Sequence, residues 1–137
     1  MSTIAITKDL VNVAGASEVA LNGYDPVAFF TDAKPVNGDF KITTTHRGAT
    51  YYFANKEHKR LFSADPDKYA PQNGGFCSFG VSVGALFPVD INTWQVYNDK
   101  LYLNLNPDIL QMFKKDMDKS IAKAAKNWPG LVEEVGK

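Results

Sequence analysis

The sequence predicts an α+β fold. It comprises a small antiparallel sheet of β-hairpins, short helices around it, and a long C-terminal amphipathic helix packed across it. Two pairs of alternating runs predict the hairpins: "FKITTT" with "TYYFA", and "WQVY" with "LYLNL". Apolar residues at three- and four-residue spacing predict the helix: Ile109, Met112, Phe113, Met117, Ile121, Ala124, Ala125 and Trp128. A length of 137 residues suits one domain with one core.

Residues 1–20 read as an N-terminal arm, 21–130 as the domain, and 131–137 as a C-terminal tail. Asp25-Pro26 starts a short helix, because Asp caps free N–H groups and Pro suits the first helical position. Pro35 and Asn37-Gly38 then break the chain. In the first hairpin Phe40, Ile42 and Thr44 share one face, and Tyr51 and Phe53 share one face of the partner strand. The linking "HRGA" contains Gly48 and fits a short turn. Asn55 caps a helix over "KEHKRLFSA" with Leu61 and Phe62 inward. Asp65-Pro66 repeats the cap-plus-proline device.

Gly74 and Gly75 let the backbone turn or approach another segment closely. "FCSFGVSVGAL" reads as a short helix, with Gly80 and Gly84 spaced for close packing. Asn98-Asp99 turns the second hairpin. Asn106-Pro107-Asp108 opens the long helix, and Pro129-Gly130 ends it.

Fifteen basic residues balance fifteen acidic ones, so net charge offers no attraction to nucleic acid or an anionic membrane. No apolar run approaches the ~20 residues that span a bilayer. One cysteine excludes an intramolecular disulfide. The chain therefore reads as cytoplasmic as written, or periplasmic where a signal peptide has been removed.

Cys77, His58 and His46 are the natural ligands for a soft or borderline metal, but no CxxC, HxxxH or HExxH spacing links them. Cys77 also reads as a small buried hydrophobe. His46 reads as a solvated turn residue, and His58 as a neutral imidazole in the first turn of its helix. Cys77 with His58 and Asp25 is a conceivable nucleophile, base and orienting group. Phosphate-binding glycine loops, dinucleotide fingerprints and G-x-S-x-G elbows are missing. Tyr24, Asp25, Tyr52, Phe76 and Phe79 could line a small-ligand pocket.

"GYDPVAFF", "GATYYFANKEHKRLFSADPDKYAPQNGGFCSFGVSVG" and "KLYLNLNPDI" together resemble the YHS-domain family, and more specifically its stand-alone small-protein branch. The resemblance runs from about Leu21 to Trp128. It implies a compact α+β fold around a β-hairpin followed by a helix. The wider group is similar to metal-trafficking cysteine knuckles, whose thiolate positions fall here on Ala28, Ala54 and His58. What remains is the "GGFC" cysteine, Cys77.

The expectation is a small non-enzymatic binding domain for a transition metal, copper or zinc, held by Cys77 and His58. The alternatives are a thiol-dependent enzyme using Cys77, and a small-ligand or protein interaction module without chemistry at Cys77.

Overall fold

The computed structural model describes residues 10–14 and 18–136. The first nine residues, residues 15–17 and Lys137 lie outside that description, so the expected arm is seen only from Leu10. Its described part is not a plain extended arm. Strands β1 (Val13–Ala14) and β2 (Val19–Ala20) pair antiparallel, and β2 runs parallel to β4 with Val19 opposite Thr50.

The first predicted hairpin is β3 (Asp39–His46) and β4 (Ala49–Phe53), with Thr44 opposite Tyr51. Its turn residues Arg47 and Gly48 both have positive φ, 53° and 82°. That conformation matches the right-handed twist of the strands it joins. The four strands lie in the order β1-β2-β4-β3. Tyr51 and Phe53 are buried on one face as expected, but Phe40 is 65% exposed. The register slips between Asp39 and Thr43, so simple alternation cannot place Phe40.

The second hairpin, β5 (Asp90–Tyr97) and β6 (Lys100–Asn104), forms a separate two-stranded sheet. Asn98 and Asp99 make its turn at φ 52° and 59°. Pro71 and Cys77 bridge in parallel to Leu101 and Leu103 of β6. The segment between them is thereby laid along that strand.

Helix α1 (Ala28–Thr31) follows Asp25, whose Oδ1 accepts from the amides of Val27 and Ala28 at 2.8 and 3.3 Å. Helix α2 (Lys56–Ala64) is capped by Asn55, which accepts from the His58 amide at 2.8 Å. Helix α3 (Pro66–Tyr69) starts on its proline as predicted, although the Asp65 side chain makes no cap bond. Helix α4 (Ser78–Ser82) is capped by Cys77. Gly80 is closely packed: a Cβ there would sit 2.7 Å from Phe87. Gly84 is not, and faces open space at φ 88°, where it ends the turn after α4.

The predicted long helix is two helices, α5 (Pro107–Lys115) and α6 (Met117–Gly136). Asp116 separates them at φ −156°, and its side chain accepts from the Lys119 amide at 3.1 Å. It acts as a fresh N-cap inside an otherwise continuous apolar stripe. Helix α6 does not stop at Pro129 and carries the expected tail to Gly136. Proline removes one amide donor, so the carbonyl of exposed Ala125 lacks its usual helical partner. Helix α6 packs chiefly on α4 instead of across a sheet. Met112, expected in the core, is 44% exposed, while Phe113 is fully buried.

The core joins both sheets through Val27, Phe29, Tyr51, Phe53, Phe62, Leu101 and Leu103. Phe62 is central, with its ring centroid 4.8 Å from Tyr51 and 5.2 Å from Phe53. Burial of each such side chain stabilises the fold by about 1.5–3 kcal/mol.

Candidate functional site

Asp25 is wholly buried. Besides the two α1 amides, its Oδ2 accepts from the Ala54 amide at 2.8 Å and lies 2.6 Å from His58 Nδ1. Three backbone N–H donors hold this carboxylate, so Nδ1 carries the proton that bonds it. His58 is 8% exposed, and its Nε2 lies 3.2 Å from the Thr31 hydroxyl. The Thr31 hydroxyl also donates to Asp32 Oδ1 at 2.8 Å, so the buried carboxylate and imidazole are linked to an exposed side chain. The polar atoms of this chain join α1, β4 and α2.

Cys77 is also wholly buried. Its Sγ accepts from the amides of Gly80 at 3.3 Å and Leu105 at 3.2 Å, and its S–H donates to Asn104 Oδ1 at 3.6 Å. The same Oδ1 accepts from the Phe79 amide at 3.0 Å. Burial pushes the thiol up from its ordinary value, and the Gly80, Leu105 and Phe79 amides only partly oppose it. At neutral pH Cys77 is therefore a thiol, whereas attack and metal binding both require the thiolate.

The hydrogen bonds of Cys77 and those of His58 share no residue. Cys77 has Asn104 and backbone amides around it, and His58 has Asp25 and Thr31. Asp25 and His58 are thus brought together, and Cys77 belongs to a different network. Among the described residues, no three or more His, Cys, Asp or Glu side chains converge as a metal site. Nor is any helix long and apolar enough to cross a membrane.

A cleft of about 380 Å³ opens elsewhere, where the first hairpin turn, α3, the 72–75 turn, the start of β6 and α6 meet. His46, Arg47, Asp67 and Lys100 bring charge or titratable groups to it, and Tyr51 and Trp128 bring rings. Asp67 Oδ1 lies 3.3 Å from His46 Nε2 and 3.4 Å from Arg47 Nη2. Desolvation pushes the Asp67 carboxyl up, but the hydrogen bonds and charges of Arg47 and His46 outweigh it and hold it below its ordinary range. His46 is not a solvated turn residue: its side chain is 18% exposed, and its ring stands edge-on to Phe62 at 5.8 Å. Burial pushes the Tyr51 hydroxyl far above the ordinary tyrosine range, with Arg47 opposing. It remains a proton donor across the physiological range.

Gly74 shapes the cleft wall. Its φ is 61°, and a Cβ there would meet the Leu10 carbonyl at 2.3 Å and the Trp128 ring at 3.0 Å. Its own carbonyl accepts from the Asn12 amide at 2.7 Å. The close approach expected of "NGG" is therefore to the N-terminal segment and α6.

None of the five expected pocket residues lines this cleft. Tyr24 is half-buried and bridges to Asn37. Tyr52 is half-buried, with its ring beside Gly23. Phe76 packs on Trp128 at 6.4 Å, directly behind the cleft, and half-buried Phe79 belongs to α4. Arg47, Asp67 and Lys100 escaped sequence reasoning, and His46 reads there only as a metal ligand or a solvated turn residue, so the sequence does not link these four. Their only sequence signal is that three of them sit at or beside chain turns.

Comparison with protein-family models, with curated proteins and with solved structures finds no match to this chain.

Proposed function

We propose that this protein is a small-ligand-binding domain whose binding site is the cleft between the first hairpin turn and α6. One observation carries the reading: a concave site of about 380 Å³ combines rings, Tyr51 and Trp128, with converging polar groups at His46, Arg47 and Asp67. That combination is typical of small-molecule sites. Binding is favoured over catalysis, because the one thiol is buried and protonated away from the cleft.

The test is a fragment titration followed by NMR at the Trp128 indole N–H and the Gly74 amide. Saturable shifts at both are expected, and in Trp128→Ala the shift at the Gly74 amide should be lost. Fragments that shift only residues remote from the cleft would sink the reading.

A copper or zinc site on Cys77 and His58 would require the buried Cys77 to give up the proton it donates to Asn104 and His58 Nε2 to leave the Thr31 hydroxyl, while Nδ1 could keep Asp25. Saturable Cu(I) or Zn(II) binding to the chain, weakened by Cys77→Ser, would restore that reading.

A further inference from the structure

We infer that the cleft selects small organic anions, and that Asp67 is a built-in competitor for the anion position. The inference rests on the binding role proposed for the cleft, and names its ligand class.

Three cationic or protonatable side chains line the cleft, His46, Arg47 and Lys100, against the Asp67 carboxylate. Asp67 holds His46 and Arg47 at 3.3 and 3.4 Å, beyond the 2.7–2.9 Å of strong charge-assisted bonds. Its side chain is 69% exposed, and that of Arg47 is 42% exposed. The exposed Asp67–Arg47 contact contributes little by itself. A ligand carboxylate or phosphate at the same donors takes the place of Asp67 in the cleft that Tyr51 also lines. The Asp67 carboxylate is then free to turn outward into water.

The rest of the cleft fixes the other end of the ligand. Trp128, Pro71, Leu10 and Val11 give an apolar wall, and Gly74 puts no Cβ against the Trp128 ring. A flat apolar group suits that wall, since aromatic faces stack with large contact area. The ligand class is therefore a small aryl or similarly flat molecule carrying one carboxylate or phosphate.

Benzoate, phenyl phosphate and neutral benzamide are the probes, titrated into the whole chain and into Asp67→Asn and Arg47→Met. Benzoate and phenyl phosphate are expected to bind more tightly than benzamide. Asp67→Asn should strengthen benzoate about three- to ten-fold, and Arg47→Met should weaken it by a similar factor, the size of a modest charge interaction. Benzamide should respond to neither. Equal binding of benzamide and benzoate, or unchanged benzoate affinity in Asp67→Asn, overturns the anion inference and leaves the cleft reading standing. Failure of all three probes to shift Trp128 or Gly74 overturns both. Because Asp67 and Arg47 are exposed, the variants should fold, and the thermal midpoint checks that.

Discussion

Asp25 Oδ2 and His58 Nδ1 meet at 2.6 Å across 33 residues of sequence, tying the start of α1 to the first turn of α2. The Asp25 carboxylate holds three backbone amides as well, so its loss strands several buried donors at once. Asp25→Ala should cost about 3–5 kcal/mol, because it leaves three backbone amides and the His58 imidazole without their buried acceptor. His58→Ala should cost less, because those three amides keep their acceptor. The double variant should fall short of the sum by at least about 1 kcal/mol, since the residues touch. Urea unfolding of the four proteins measures this, and strict additivity would show that the pair does not act as a unit.

Cys77 should resist modification in the folded protein. The site is fully buried, and iodoacetamide requires both access and thiolate. Labelling at neutral pH should follow the fraction of molecules opened by urea. Rapid labelling without denaturant would contradict the buried thiol. Cys77→Val, which leaves the Gly80 and Leu105 amides without an acceptor, should cost about 2–3 kcal/mol. Cys77→Ser, which keeps an acceptor, should cost less.

Stability should fall in alkali in two stages. Both Cys77 and Tyr51 are raised in the fold, chiefly by burial. A raised group contributes stability that is complete below its unfolded pKa and is lost as pH rises toward the folded value. The Cys77 contribution should therefore start to fade above about pH 8.5, and the Tyr51 contribution above about pH 10. Urea midpoints from pH 7 to 11 check this. Cys77→Ser should remove the first decline, and Tyr51→Phe should lessen the second, to which the likewise raised Tyr97 and Tyr102 contribute.

Asp99 holds φ 59° in the second hairpin turn, a conformation that glycine adopts without strain. Asp99→Gly should stabilise the protein by about 0.5 kcal/mol, the left-handed penalty less the entropy glycine adds to the unfolded chain. A thermal midpoint that falls would mean the Asp99 side chain holds the turn in some other way.

The local rules of chain geometry were legible in the sequence. Both hairpins, the Asn55 and Asn106 caps, and the Asp25-Pro26 start depend on neighbouring residues and appear as read. The break at Asp116 was concealed by an apolar stripe that continues on both sides of it. The register slip that exposes Phe40 was hidden because alternation assumes an unbroken ladder. For the site, the sequence pointed to the chain's rarest side chain, Cys77, and the structure shows it buried in a polar cradle. The cleft draws on residues from His46 to Trp128, and no local pattern links them. The same holds for Lys41, Lys56, Lys59 and Arg60, which line one shallow groove although the basic residues look scattered along the chain.

Asn127 reaches from α6 to the end of α4, its Nδ2 donating to the carbonyls of Val81 and Ser82 at 2.9 and 3.1 Å. Its neighbour Trp128 walls the cleft, and α4 begins at Cys77. One amide side chain thus latches the wall of the cleft to the helix that the thiol caps. A displacement of Trp128 that carried Asn127 with it would strain these two bonds and so reach α4. Deuterium uptake at Gly84 and Ala85, whose amides bond to the carbonyls of Val81 and Gly80, would register it. Asn127→Leu, which cuts the latch, should let those amides exchange independently of whatever occupies the cleft.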